Sequence, residues 1–389
     1  VLSRLPPALR DEVVSAFFDP AKGLGYALAR THLNSCDFSL GNYAHADTPG
    51  DFELKHFDLA RAEKHLFPLM TRARDAAGGN LGFVISPWSP SPWMKTTGRM
   101  NGGGKLRPEC RDAWAACYVR FIEACRARGL EIWGLTVQNE PNATQRWDSC
   151  DYTAEEERDF VRDHLGPALH RANLADVRVI VWDHNRDLLL HRSSVIFADP
   201  EASRYIWGAG FHWYDDPRFD NVRQHHETWP DKHLIFTEGC QEGGTHLGSW
   251  ALGERYATSI LRDLNNWTEA WLDWNIVLDE TGGPNHVGNM CSAPIIADTK
   301  AGRLLYQNSY HYIGHFSRFI RPGAKRILCA TTKDRLEATA FANPDGTIAV
   351  VALNTSDEPI PFDLYLGERE ASLCVPAHGI VTWVIAPEA

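Results

Sequence analysis

The chain has 389 residues, 44% of them hydrophobic and 23% charged, enough for a sizeable core in one large α/β domain or a large domain plus a small one. A formal charge of −11, with no Lys/Arg run to offset it, argues against nucleic acid or an anionic membrane surface as the main partner and favours a neutral or cationic substrate. Nine cysteines without CxxC pairs argue against a zinc module or a disulfide-dense scaffold, with one or two disulfides still possible, and no apolar run is long enough for a transmembrane helix.

The opening residues, VLSRLPPALRDEVVSAFF, show no signal-peptide pattern and do not begin with Met, so they say nothing of the compartment. From there to residue 319, β-type runs alternate with helical stretches. LGYALARTHL, GGNLGFVISPW, LEIWGLTVQNE, ADVRVIVWDHN, YIWGAGFHWY, KHLIFTEG and EAWLDWNIVL read as strands that end in polar or aromatic residues. Between them WAACYVRFIEACRARG has helical apolar spacing, and TAEEERDFVRDHLGPAL opens with a Thr cap and an acidic first turn. Repeated strand, loop and helix predicts a parallel sheet, open or closed into a barrel, and polar groups at strand C-terminal ends are what a TIM barrel uses for its site. From residue 320 to 389, KRILCATT, LEATAFANPDGTIAVVALN, PIPFDLYLG and GIVTWVIAP are strand-type runs split by turn signals, which predicts a small antiparallel β domain.

Two of the strands carry the chemistry. LEIWGLTVQNEP delivers Asn139 and Glu140 to its end, where Pro141 is expected to hold Glu140 extended. KHLIFTEGC delivers Glu238, with Gly239 expected to permit a tight turn and leave room beside the carboxylate. A lone strand-end Glu is more often a cap or a surface charge. Two on one barrel are the pair that glycoside hydrolysis needs, one to protonate the leaving oxygen and one to attack the anomeric carbon or activate water. Their pKa values must differ, which a tryptophan wall around one and an Arg beside the other would achieve. Fourteen tryptophans support a sugar site, with Trp88, Trp93, Trp182, Trp213, Trp271 and Trp274 at strand ends, although roughly two thirds of the indoles are expected to fill the core.

Other signals are weaker. His225, His226 and His233 lack metal-ligand spacing and read as surface residues. MNGGGK lacks a full phosphate-loop pattern and reads as a mobile loop over the site. The sequon at Asn142 lies too close to Glu140 to carry a glycan, and those at Asn266 and Asn354 are weak signals.

Together with SPWSPSPWMKTTGRMNGGGKL, GFHWY, WLDWN and GGPNHVGNMCSAPIIAD, the two glutamate motifs resemble glycoside hydrolase family 30, in order along the whole chain. The resemblance implies a (β/α)8 TIM barrel over 1–319 with a C-terminal antiparallel β-sandwich over 320–389. It also implies retaining hydrolysis of β-glucosidic bonds, in a β-1,6-glucan or terminal β-glucosides including glucosylceramide, with no metal or organic cofactor. A small lean toward glucan follows from the lack of an amphipathic lipid-facing segment. Family members start with extra sandwich strands and a Gly-rich first barrel strand, so this chain is expected to begin in the helix after it, with seven of eight strands; a secreted or periplasmic location is also implied.

Residue by residue, the resemblance makes Glu140 the general acid/base and Glu238 the nucleophile. Asn139 would bond the sugar 2-OH, Tyr214 would orient the nucleophile, and Arg30 would favour its ionised form. Asp37, Trp88 and Trp274 would line the pocket, with His212 and Asn289 as further pocket candidates. The rivals are a non-catalytic carbohydrate-binding protein on the same fold and a metallohydrolase.

Overall fold

Seven short runs, most of them rich in Val, Ile, Phe or Trp, form strands, and those in the middle of the sheet are buried on both faces. The computed structural model describes residues 1–387. The strands are β1 (Leu28–Leu33), β2 (Gly82–Pro87), β3 (Glu131–Thr136), β4 (Arg178–Asn185), β5 (Ile206–His212), β6 (His233–Glu238) and β7 (Thr268–Trp271). They pair in parallel in sequence order, with every C-terminal end at one rim. Helices cover the outer face, among them Arg111–Arg126 and Trp250–Asn265. The stretch after Thr153 is helical as expected: Thr153 and Glu156 form a reciprocal capping box at its start.

The sheet curls as a TIM-type half-barrel, and among the described residues β1 and β7 do not pair with each other. A cavity of about 1690 Å³ lies on this open side, lined by Leu28, Ala29, Thr268, Ala270 and Leu272, and neither Glu140 nor Glu238 lines it. After β7, β8 (Val277–Asp279), β9 (Ile295–Asp298) and β10 (Arg303–Tyr306) form a small sheet that the sequence reading did not separate.

The C-terminal part is antiparallel. β11 (Lys325–Ile327), β12 (Leu336–Ala342), β13 (Ile348–Asn354) and β16 (Gly379–Ile385) make one sheet, and β14 (Ile360–Leu366) pairs with β15 (Arg369–Val375). β15 escaped the sequence reading because REASLCV opens with two charged residues and has no unbroken apolar run; most of its side chains are exposed.

Three expectations are corrected. All nine cysteines are free thiols, so neither possible disulfide forms. His225 is buried, because the helix Phe219–Thr228 turns the face with Val222 and His225 inward and sets the imidazole edge-on against Phe197. The glycine loop is strapped down: Gly102 N–H donates to the Gln145 carbonyl (2.8 Å), Gly103 N–H to Ser149 Oγ (2.9 Å) and Gly104 N–H to Asp151 Oδ2 (2.8 Å). The buried ammonium of Lys95 ties the same two segments through the carbonyls of Met100 and Ser149.

The sheet is locked to its helical cover by a buried ion pair. Arg186, just after β4, donates twice to Asp263 of the helix Trp250–Asn265 (3.1 and 2.6 Å) and also to Ser259 Oγ (2.7 Å). Rings of Phe211, Phe219 and Phe236 surround its guanidinium. Asp263→Ala strands that charge, and urea unfolding is expected to show a loss of about 3–5 kcal/mol; a loss under about 1 kcal/mol, as for an exposed pair, would contradict this account.

Candidate active site

Each strand end contributes one or two polar side chains to the rim. β1 supplies Arg30; β3 runs into Asn139 and Glu140; β4 ends with Asp183, His184 and Asn185; β5 ends at His212 with Tyr214 just beyond; β6 ends at Glu238. One carboxylate oxygen each of Glu140 and Glu238, and one ring nitrogen of His212, lie within 4.8 Å of one another.

Arg30 is the cation of the site, with a side chain 1% exposed. Its Nε donates to Ser86 Oγ (2.8 Å), Nη1 to Glu238 Oε2 (2.5 Å), and Nη2 to both Asn139 Oδ1 (2.9 Å) and Asp183 Oδ2 (2.8 Å). Because Arg only donates, the Asn139 oxygen faces it and the amide NH2 is free to meet a hydroxyl. Trp88 and Trp274 stack on each other with centroids 4.9 Å apart, and the guanidinium lies over both rings. Trp88 is 2% exposed and Trp274 partly exposed, so Trp274 is the indole open to a ligand. Trp213 and Trp271 pack with Tyr256 and Phe236 in the core, as Trp182 does under Arg192.

Glu238 also accepts from Tyr214 Oη (2.9 Å), and the Tyr214 N–H is held by Asn185 Oδ1 (2.9 Å). Gly239 has a reason other than a tight turn: a Cβ there would meet the Phe236 ring at 2.7 Å and Trp213 at 2.8 Å. Burial raises the Glu238 carboxyl above its ordinary value, against the opposing charges of His212 and Arg30. Arg30 thus acts in the expected direction, and desolvation outweighs it.

Glu140 is not extended, as a residue before proline was expected to be, but left-handed, with φ 47°. Its N–H is held by the Asp183 carbonyl (3.0 Å), the preceding Asn139 N–H by the Pro87 carbonyl (2.9 Å), and its own carbonyl accepts from Ala143 (3.0 Å). These bonds, to β2, to β4 and within the loop that follows Glu140, override a local preference worth about 1–3 kcal/mol. Its carboxylate meets His212 Nδ1 (3.2 Å) and Gln145 Nε2 (3.4 Å), the latter on the segment that the glycine loop braces. Burial pushes this carboxyl up, but the His212 contact and the nearby His184 outweigh it and hold it below the usual carboxylate value. The groups that set the state of Glu140 against its burial are the histidines His212 and His184.

Asp37 sits in the loop after β1, its Oδ2 accepting from Asn285 Nδ2 (2.9 Å) and Asn289 Nδ2 (3.5 Å). Burial and then the Glu238 charge push it up to about 7. Asn289 therefore steadies Asp37 and, like His212, is tied to another site carboxylate. Sequence reasoning missed Asp183 and Asn285, though VWDHN at a strand end and GGPNHVGN with two Asn were visible signals. Glu140, His212 and Glu238 could offer atoms to a metal ion. Arg30 already occupies the Glu238 oxygen and both His212 nitrogens face carboxylates, so the donor set is engaged and carries its own positive charge.

The description "Glycosyl hydrolase family 30 TIM-barrel domain" matches residues 1–320, and "Glycosyl hydrolase family 30 beta sandwich domain" matches 323–383. The chain is 35% identical to the lysosomal acid glucosylceramidase of Mus musculus, over 92% of this chain and 73% of that protein. It is 26% identical to the endo-1,6-beta-D-glucanase of Neurospora crassa, over 99% of this chain and 82% of that one. The crystal structure of SrfJ from Salmonella typhimurium superposes with a TM-score of 0.96 at 35% identity, covering 100% of this chain and 87% of that chain. With both of its parts matched, the chain belongs to glycoside hydrolase family 30.

Proposed function

We propose that the protein hydrolyses β-glucosidic bonds with retention, through a covalent glycosyl-enzyme. The observation that carries this reading is the pair of strand-end carboxylates with oxygens within 4.8 Å. Retaining sites hold their carboxyl groups about 5–5.5 Å apart, whereas inverting sites need about 6.5–9.5 Å to admit a water.

Glu238, held by Arg30 and Tyr214, attacks the anomeric carbon while Glu140 passes a proton to the departing oxygen. Glu140, now a carboxylate, then takes a proton from the water that displaces the sugar from Glu238. The free amide of Asn139 meets the 2-OH, Asp37 takes a second hydroxyl, and Trp274 offers an apolar face. A pure carbohydrate binder would have no need of two buried carboxylates, one of them on left-handed backbone. Between substrates, 35% identity to a glucosylceramidase against 26% to an endo-1,6-glucanase supports a terminal β-glucoside, against the small lean drawn from sequence.

Incubation with a 2-deoxy-2-fluoro-β-glucoside bearing an activated leaving group is expected to label the peptide that contains Glu238; label elsewhere would sink the nucleophile assignment. Glu140→Ala should slow hydrolysis of substrates with poor leaving groups by about 10²–10⁴-fold, and azide should restore turnover of activated ones. The pH profile of kcat/KM should be bell-shaped and belong to the coupled groups together. Its acid limb falls as Glu238, raised by burial, takes up a proton. Its alkaline limb falls as the proton shared by Glu140 and His212 leaves, the latter pushed up to about 9. A single-limbed profile between pH 3 and 10 would contradict this.

A further inference from the structure

Asp183 has no part in the reaction as described so far, yet the backbone is bent to place it. β4 slips register against β5 between Trp182 and His184, leaving Asp183 as the extra residue of a bulge. Trp182 and Asp183 are both left-handed, with φ 73° and 49°. L side chains avoid that region unless their surroundings impose it. Here the Trp182 N–H is taken by Glu157 Oε1 (2.8 Å) and the Asp183 carbonyl takes the Glu140 N–H (3.0 Å).

The bulge turns the Asp183 carboxylate inward between two partners. Oδ2 accepts from Arg30 Nη2 (2.8 Å) and Oδ1 meets His212 Nε2 (3.1 Å), with all three side chains at most 1% exposed. A second register shift, where Phe211 pairs with Phe236 and His212 with Glu238, leaves Thr237 of β6 as the extra residue just before Glu238, while His212 Nδ1 lies 3.2 Å from Glu140 Oε1. Two strands thus break their ladders to complete one chain of contacts running from Glu238 through Arg30, Asp183 and His212 to Glu140.

We propose that Asp183 is the positioning residue that joins the two glutamates into one unit, fixing Glu238 through Arg30 and aiming the proton of Glu140 through His212. This rests on the roles given above to Glu140 and Glu238. A carboxylate can only accept, so Oδ1 commits the ring to carry a hydrogen on Nε2. Nδ1 is then the atom left for Glu140, and one proton lies between Nδ1 and Oε1 whichever of them holds it. The charged and titratable groups facing the ring are Glu140 after β3, Asp183 and His184 from β4, Tyr214 just beyond β5 and Glu238 from β6, with Arg30 behind Asp183. Burial pulls His212 down, and the charge of Glu238 with the bonds to Asp183 and Glu140 outweighs it and lifts the ring to about 9.

The test is Asp183→Asn on two substrates. A 2,4-dinitrophenyl β-glucoside needs no proton at its leaving group and reads the Arg30–Glu238 arm; an alkyl β-glucoside needs one and reads both arms. The variant is expected to lose about 10–100-fold in kcat/KM on the first and at least about 10-fold more on the second, a size typical of misdirected acid catalysis. Its alkaline limb should also move to lower pH. Equal losses on both substrates with unmoved limbs would overturn the proposal and leave Asp183 a structural counter-ion of Arg30. Nitrogen-15 spectra of labelled histidine in the wild type, with His212 assigned by its loss in His212→Ala, decide the matter if the Asn variant does not fold. Nε2 should stay protonated across the pH range of activity, and a bare Nε2 would overturn the proposal. Wild-type enzyme inert on both glucosides but showing the protonated Nε2 would refute the glycosidase reading and leave the positioning intact.

Discussion

The site is organised around one buried guanidinium. Arg30 stands midway along the edge strand β1 and donates to groups delivered by β2, β3, β4 and β6. Removing such a charge from water costs several kcal/mol, and only near-complete hydrogen bonding offsets it. Ser86, Asn139, Asp183 and Glu238 supply that bonding, so the carboxylate proposed as nucleophile is itself one of the groups that make the Arg tolerable. The strand ends cannot shift independently without stranding either the cation or a carboxylate.

Straight strands would not deliver these groups. Parallel strands buried on both faces alternate their side chains rigidly, and a strand keeping perfect register would point Asp183 and Glu238 where the pleat dictates. The register shifts at Trp182/His184 and Phe211/His212 break that rule where polar groups must converge, and Glu140 takes a left-handed φ. The apolar body of the sheet, with Val84, Ile180 and Ile235 packed in its interior, supplies the stability against which these local distortions are held. Strain at the rim and close packing below it are two parts of one design.

That division explains what the sequence made legible. The strands announced themselves as continuous apolar runs, and Glu140 and Glu238 were found because each closes such a run. Arg30 and Tyr214, picked out through the family resemblance, lie against Glu238, and Asn139 lies against Arg30. Asp183 did not stand out, because its position depends on a bulge, and a bulge is a relation between two strands that neither strand's own residues encode. Pro141 misled for the same reason: its steric bias on Glu140 is real but small beside hydrogen bonds from Pro87 and Asp183. Gly239 was rightly noticed and wrongly explained, since the rings of Phe236 and Trp213 that exclude a Cβ arrive from elsewhere in the fold. In GGPNHVGN, Asn289 was read as a pocket candidate and Asn285 was passed over because their partner, Asp37, lies about 250 residues away.

The same logic applies to the ordering of the two carboxyls. An acid kept protonated by indole and a nucleophile kept ionised by Arg would make each glutamate's state a property of its own neighbours. The structure instead sets Glu140, His212 and Glu238 within 4.8 Å, with Arg30 and Asp183 adding one charge of each sign. Such groups titrate together, and a proton gained by one is felt at once by the others. Burial raises Glu238 and the two histidines lower Glu140, so the state of each carboxyl depends on groups it shares with the other. A sugar carbon beside Glu238 favours its ionised form, and the cluster's proton then belongs on the Glu140–His212 side. The division of labour between the two glutamates is thereby a property of the occupied cluster rather than of either residue alone.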